Sequence, residues 1–123
     1  MKKVIILIIL AIMLVNTNTC FAFDKWTKQE KQRQIILTIL HCTDYFQTCE
    51  IVKNDKYYEM NPILGRHPSM EQLNYYAISS LLLKTAITHV LPHKYRKYAQ
   101  CVFIGLSGGA VLNNYSIGIR IGF

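Results

Sequence analysis

Polar side chains that could take part in chemistry are concentrated in two neighbouring stretches of the sequence. His41, Asp44 and Thr48 are three or four residues apart, so on a helix they share one face, and Gln47 lies beside them. A carboxylate together with histidines could ligate zinc, and a histidine oriented by a carboxylate could act as a general base. The stretch that follows contributes three further polar candidates, which are Glu59, Asn61 and His67.

These residues allow two interpretations. In the first, a metal-dependent hydrolase or metal-binding protein uses His41, Asp44, Glu59 and His67, with Asp44, Glu59 and His67 as catalytic groups and His41, Asp44 and His67 as zinc ligands. In the second, the polar groups satisfy one another and the backbone at a membrane surface. The sequence contains no His-Glu-x-x-His or Cys-x-x-Cys motif. We therefore favour the second interpretation, with no enzyme activity and no cofactor, and keep zinc as the alternative.

The elements that must position these residues are mainly helical. Two capping boxes, Thr27 to Glu30 and Ser69 to Gln72, each precede a long segment without turn residues. They predict helices over about residues 27–53 and 70–91, and a third apolar segment predicts a helix over about 95–112. Asn61-Pro62, Gly65 and Pro68 mark residues 54–68 as a linker. Residues 23–123 are thus predicted to form a single helical domain.

Two features of the later helices bear on the polar cluster. Lys84 is the only formal charge in the apolar part of the second helix, and an intramembrane cation normally needs a partner, for which Asp44 or Glu59 is available. Gln100, Ser107 and Asn114 are spaced by seven residues and share one face of the third helix. We predict that this face completes a polar interior together with the first helix, with headgroup contact at the two helix ends as the alternative.

The first 22 residues predict a cleaved signal peptide. Lys2 and Lys3 precede apolar residues 4–15, and the sequence Cys20-Phe21-Ala22 suits a signal peptidase. Cleavage would remove two lysines from a formal charge of +7 and leave modest basicity, which suits an anionic lipid surface more than nucleic acid. Three cysteines would remain, so at least one thiol is unpaired within the chain or bonds another chain. These are Cys42, Cys49 and Cys101.

The second and third helices are predicted to form a membrane hairpin. Both are poor in charge, and the basic segment "PHKYRK" at residues 92–97 separates them. Helix two would enter the membrane from the exported side, the basic corner would lie in the cytoplasm, and helix three would return. A helical bundle in the periplasm, whose two most buried helices merely resemble membrane helices, is the alternative.

The last residues show a different pattern from everything before them. From Tyr115 to Phe123 apolar side chains alternate with polar residues or glycine, which is typical of a strand. This predicts an extended tail over 115–123 and raises a third possibility, an outer-membrane β-barrel-like protein. Continuous apolar runs and two capping boxes elsewhere favour helices, so we expect one extended segment at the end of a helical protein.

The segments "TDYFQT" (43–48), "YYEMNPILGRHPS" (57–69) and "NNYSIGIRIGF" (113–123) resemble a group of small uncharacterised bacterial and phage-associated exported or membrane proteins. That group has no assigned activity, so the resemblance implies none. It does imply that one set of residues acts as a unit and that the tail belongs to the group's pattern. The set is Asp44, Gln47, Thr48, Glu59, Asn61, Pro62, Gly65 and Pro68.

Together these features predict a small non-catalytic membrane protein of the bacterial cell envelope. We expect it to act by contact with membrane lipid, and with another envelope protein or a second copy of itself as further partners; nucleic acid is not among the expected partners. The expected location is the inner membrane facing the periplasm, with the periplasm or the outer membrane as alternatives. The polar cluster predicted to hold the structure together consists of His41, Asp44, Gln47, Thr48, Glu59, Asn61, Lys84 and Asn114.

Overall fold

The protein is described here by a computed structural model that covers residues 24–121. It consists of three helices, α1 (Lys28–Lys53), α2 (Met70–Val90) and α3 (His93–Ser116), and these residues contain no strand. The prediction of a mainly α protein is therefore confirmed. The predicted signal peptide at residues 1–22 and the last two residues of the tail lie outside the described part.

Local sequence explains where the first two helices begin. The hydroxyl of Thr27 accepts a hydrogen bond from the Glu30 amide at 3.2 Å, and the Glu30 carboxylate accepts one from the Thr27 amide at 2.8 Å. Ser69 and Gln72 form the same reciprocal pair at the start of α2. Each box satisfies two backbone donors that the first turn leaves without partners.

The predicted extended tail over 115–123 cannot begin at residue 115, because residues 115 and 116 are helical and residues 117 and 118 form a turn. Helix α3 continues to Ser116 and ends in a Schellman motif, in which the Ile119 amide donates to the Asn114 carbonyl and the Gly118 amide donates to that of Tyr115. Gly118 has a φ of 91°, a left-handed conformation that glycine adopts without steric cost. The turn brings Ile119 back into a buried position. Alternating side chains thus accompany a helix end instead of a strand.

Helix α1 contacts both other helices, and side-chain pairs define the directions. Trp26 contacts His89 and Tyr45 contacts Asn74, so α1 and α2 are antiparallel, whereas Glu30 contacts Arg96 and Asp44 contacts Asn114, so α1 and α3 are parallel. We call the end formed by the start of α1, the end of α2 and the start of α3 the basic end. The opposite end, which carries residues 54–68, is the linker end.

This arrangement corrects one part of the predicted membrane hairpin. In the predicted topology the basic corner lies in the cytoplasm, on the opposite side of the membrane from the exported start of α1. In the structure the two are neighbours, because the His93 amide donates to the Asp24 carboxylate at 3.4 Å and Arg96 donates to the Asp24 carbonyl at 3.3 Å. Residue 24 and the corner therefore lie at the same end of the bundle.

The interior of the bundle is mostly polar, and its surface carries many large apolar side chains. Among residues 24–121, nine buried residues are polar or charged and only five are hydrophobic, so polar groups form the larger part of the core. The polar set is Glu30, His41, Gln47, Thr48, Thr88, Arg96, Gln100, Ser107 and Asn114. Within the same range every buried side-chain nitrogen and oxygen has a hydrogen-bond partner. A core of this kind is specified by matched donors and acceptors.

Candidate functional site

Five of the predicted polar residues, including His41 and Thr48, line one small cavity. Asp44 of α1 and both Glu59 and Asn61 of the linker line a cavity of about 20 Å³ near the linker end. This volume is close to what one or two water molecules need. The other lining residues are His41, Tyr45, Thr48, Leu64, Leu73, Tyr76 and Ala77. The linker therefore folds back onto α1 at this cavity.

Glu59 and Asn61 are both engaged by the backbone of their own linker. The Glu59 carboxylate accepts from the Asn61 amide at 2.8 Å, and the Asn61 side-chain oxygen accepts from the Ile63 amide at 3.0 Å. The Asn61 carbonyl accepts from the amides of Leu64 and Gly65, which has a φ of 79°. The "EMNPILG" segment (59–65) therefore forms consecutive hydrogen-bonded turns, which gives Glu59 and Asn61 a structural role in the linker.

Asp44 and Gln47 tie α1 to the far end of α3. The side-chain amide of Asn114 donates to the Asp44 carboxylate at 3.1 Å and to the Gln47 side-chain oxygen at 3.4 Å. Gln47 in turn donates to the Val111 carbonyl at 3.4 Å. The polar face predicted for α3 thus meets α1, because Asn114 at one end and Gln100 at the other both bond residues of that helix.

Lys84 lies between all three helices but is not hydrogen-bonded to either predicted carboxylate. Its ammonium group is 3.4 Å from His41 Nδ1 and 3.3 Å from the Ser107 hydroxyl. His41 Nε2 is 2.8 Å from the Ala77 carbonyl and must donate to it, so Nδ1 is the acceptor for Lys84. Thr48 donates to the Asp44 carbonyl one turn earlier. His41 and Lys84 therefore act as interhelical connectors.

The zinc alternative receives no support from these positions. His67 is exposed and does not line the cavity that contains Asp44 and Glu59. Throughout residues 24–121, no three histidine, cysteine or acidic side chains come together in a group that could hold a metal ion. The three cysteines of this range are free thiols, with Cys42 and Cys101 exposed and Cys49 buried.

A second polar cluster lies at the basic end and is centred on Arg96. It was not predicted from the sequence. This arginine is fully buried, and its guanidinium donates to the Glu30 carboxylate at 3.0 Å. It also donates to the Thr88 and His89 carbonyls at 2.9 and 3.1 Å and lies 5.3 Å above the Trp26 ring. In the sequence Arg96 belongs to a basic run that resembles a solvated corner, and Glu30 is already accounted for by its capping box.

Glu30 carries the charge that balances Arg96, and it is held ionised by its neighbours. Burial by itself would raise the pKa of this carboxyl. Hydrogen bonds from His93, the Thr27 amide and Arg96, together with the positive charge of Arg96, outweigh that effect and lower the pKa to about 2. His93 Nδ1 donates to the carboxylate at 2.8 Å. Glu30 is therefore a structural anion that joins the starts of α1 and α3.

The contact between Asp44 and Asn114 gives a prediction for the linker end. Asn114→Asp would replace the donor toward Asp44 with a second carboxylate, so we expect the free energy of unfolding to fall by about 1–3 kcal/mol. Asn113→Asp is the matched control, because Asn113 is the adjacent exposed residue and should tolerate the same charge. Thermal unfolding of both variants under the same solution conditions measures the difference. Equal stability of the two variants would show that the Asp44 contact contributes nothing.

Comparison with protein-family models, curated proteins and solved structures finds no match to this chain.

Proposed function

We propose that the protein is a small non-catalytic membrane protein of the cell envelope, whose three-helix bundle lies in lipid and acts through contact with it. One observation carries this proposal: the distribution of polar and apolar side chains is the reverse of that in a water-soluble bundle. In water, burial of apolar surface is the main driving force for folding. Here the helices bury mostly polar groups and leave large apolar side chains outside.

The exposed apolar side chains come from all three helices. On α1 they include Ile35, Ile36, Ile39 and Phe46, on α2 Ile78, Leu82, Leu83 and Ile87, and on α3 Val102, Leu106 and Leu112. Soluble monomers rarely leave contiguous apolar patches larger than roughly a few hundred Å² in water. Acyl chains would cover such side chains on every helix at once, which a single protein partner on one face would not.

The two ends of the bundle suit the membrane–water boundary. Tryptophan, tyrosine and basic residues are typical of that boundary, where one part of the side chain is apolar and the other is wet. Trp26 and Tyr98 lie at the basic end, and Tyr58 and Tyr115 lie at the linker end close to Arg66 and Arg120 respectively. We call the exposed apolar side chains of the three helices the apolar belt. Aromatic side chains thus lie at both ends of this belt.

The membrane proposal concerns the assembled bundle. No helix within residues 24–121 is by itself long and apolar enough to cross a membrane. Polar residues reduce the mean hydropathy of the helices. They include Gln47 on α1 and both Gln100 and Ser107 on α3, which are buried inside the bundle. What lipid would meet is the outer surface alone. Residue 24 and the basic corner would then share one side of the membrane.

A hydrolase is not the function that this geometry supports best. The cavity near Asp44 has room for little more than water, and two of its polar residues, Glu59 and Asn61, already bond the linker backbone. No serine or cysteine nucleophile lines it. The cavity is consistent with a hydrated joint between the linker and the helices.

Chemical labelling of Cys42 tests the proposal directly. Apolar residues 4–15 could by themselves hold the chain at a membrane, so the test must probe the bundle surface. In a chain whose other cysteines are replaced by serine, Cys42 is exposed beside Ile39 and Phe46. In membranes opened to both sides, we expect a charged maleimide to label it at least about tenfold more slowly than a cysteine placed at the linker end, because lipid excludes the reagent and disfavours the thiolate that reacts.

Asp55→Cys in a chain without other cysteines is the control, since Asp55 is exposed at the linker end outside the apolar belt. It should react readily with the charged reagent. Cys42 must also react fully once the protein is denatured in detergent, which shows that its thiol is intact. If the charged maleimide modifies Cys42 as fast as Asp55→Cys, the bundle surface faces water and the proposal fails.

A further inference from the structure

The charges of the bundle are distributed unequally between its two ends. At the basic end, five exposed lysines occupy the starts of α1 and α3, and these are Lys25, Lys28, Lys31, Lys94 and Lys97. Glu30 and Arg96 neutralise each other inside the bundle, and Asp24 is the only other acid at that end. The fold creates this concentration, because it places two lysine-bearing segments side by side that are more than 60 residues apart in sequence.

The linker end does not share this excess. Its basic residues Lys53, Lys56, Arg66 and Arg120 are outnumbered by acidic ones, which are Asp44, Glu50, Asp55, Glu59 and Glu71. The helix directions add to the contrast, since α1 and α3 both begin at the basic end and only α2 ends there. Helix N-termini carry partial positive charge. One end of the bundle is therefore strongly positive and the other is close to neutral or negative.

We infer that the basic end is a binding surface for the phosphate headgroups of anionic phospholipids. This inference rests on the proposed function, because it names the lipid class and the face of the bundle that selects it. Exposed lysines next to a lipid-embedded surface attract anionic headgroups, with roughly a fivefold preference for each lysine at low salt. Trp26, Tyr95 and Tyr98 are the aromatic side chains at the same level, and the Lys94 ammonium lies 5.4 Å from the Tyr95 ring.

The geometry favours headgroups over a deep ligand site. The lysines lie in or next to the first two turns of two helices and are exposed at the end of the bundle. The buried Arg96 is fully used by its protein acceptors and is not free for a ligand. Several lipids could therefore contact the end at once, each held through its phosphate by one or two lysines.

Trp26 makes this surface observable, because it is the only tryptophan of the chain and it lies at the basic end. The purified full chain would be reconstituted into phosphatidylcholine with increasing fractions of phosphatidylglycerol, one lipid at a time carrying bromine near the carbonyl end of its acyl chains. Quenching of Trp26 then gives the relative binding constant of the two lipids. We expect phosphatidylglycerol to be preferred on the order of tenfold at low salt, and much less at about 1 M salt.

Two double variants test which end of the bundle causes the preference for phosphatidylglycerol. Lys94→Gln with Lys97→Gln should reduce it at least about fivefold, whereas Lys53→Gln with Lys56→Gln removes the same charge at the linker end and should leave it within about twofold. Equal quenching by both lipids, or equal loss in both paired variants, would overturn the inference while the proposed function stands. Absence of Trp26 quenching by either lipid would instead contradict contact of this end with lipid and so count against the proposed function.

Discussion

Replacement of Arg96 by methionine should lower the free energy of unfolding by about 3–5 kcal/mol. Methionine fills much of the arginine volume, but it leaves the Glu30 carboxylate buried without its counter-charge and removes donors from three backbone carbonyls. Loss of one partner of a buried ion pair has an effect of this size, because the remaining charge is uncompensated. Unfolding by denaturant in a nonionic detergent, followed through helical circular dichroism, measures it.

Arg120→Met is the matched control for this prediction. Arg120 also donates to a backbone carbonyl, that of Tyr115 at 2.8 Å, and lies 3.8 Å above the Tyr115 ring, but it is exposed. We expect its replacement to change stability by less than about 1 kcal/mol. The double variant Glu30→Gln with Arg96→Met should recover part of the loss, because both charges are removed together. If Arg96→Met is as stable as Arg120→Met, the buried pair does not hold the basic end together.

The second large effect should be a loss of stability in acid that depends on Glu30. The pKa of this carboxyl is lowered to about 2 from an ordinary value of 4.5. A lowered pKa means that the folded protein binds the proton less readily than the unfolded chain. The stabilisation is therefore fully present above about pH 4.5 and is lost as the pH falls through about 2. Glu30 lies in the first turn of α1, outside the apolar belt.

Glu30→Gln isolates this contribution from the other carboxyls. At neutral pH the variant should be less stable than the wild type by about 3 kcal/mol or more, since Arg96 remains buried without an anion. Between about pH 4.5 and pH 2 the wild type should lose stability that the variant has already lost, so the difference between them should narrow. A difference that stays constant from pH 7 to pH 2 would mean that the Glu30 charge is not coupled to folding.

The parts of the fold that local chemistry determines were predictable. Both capping boxes operate within four residues, so Thr27 and Ser69 mark helix starts without reference to the rest of the chain. The seven-residue spacing of Gln100, Ser107 and Asn114 also predicted the polar side of α3, and all three are buried. Periodicity is enough here, because a repeat of seven places side chains on one face of a helix whatever surrounds it.

The parts that depend on distant contacts were not predictable. Glu30 and Arg96 are 66 residues apart, and nothing in a basic run distinguishes an arginine that is buried from lysines that are solvated. The tail was misinterpreted for a different reason. The alternation of apolar residues with polar residues or glycine from Tyr115 onward is compatible with a strand as well as with a helix end. The left-handed conformation of Gly118 shows that a helix ends there.

The polar interior also changes what kind of information specifies this fold. In an ordinary core the shapes and volumes of side chains must fit together, and hydrophobic residues of similar size exchange at little cost. Here most inward positions must supply a donor or an acceptor at the right place, as Gln100 does for Arg33 and for the Glu30 carbonyl. A swap that keeps size but removes polarity would break the pattern, whereas outward leucines and isoleucines meet no fixed neighbour. The fold of the bundle is therefore specified mainly by which donors meet which acceptors, and less by the fit of side-chain shapes.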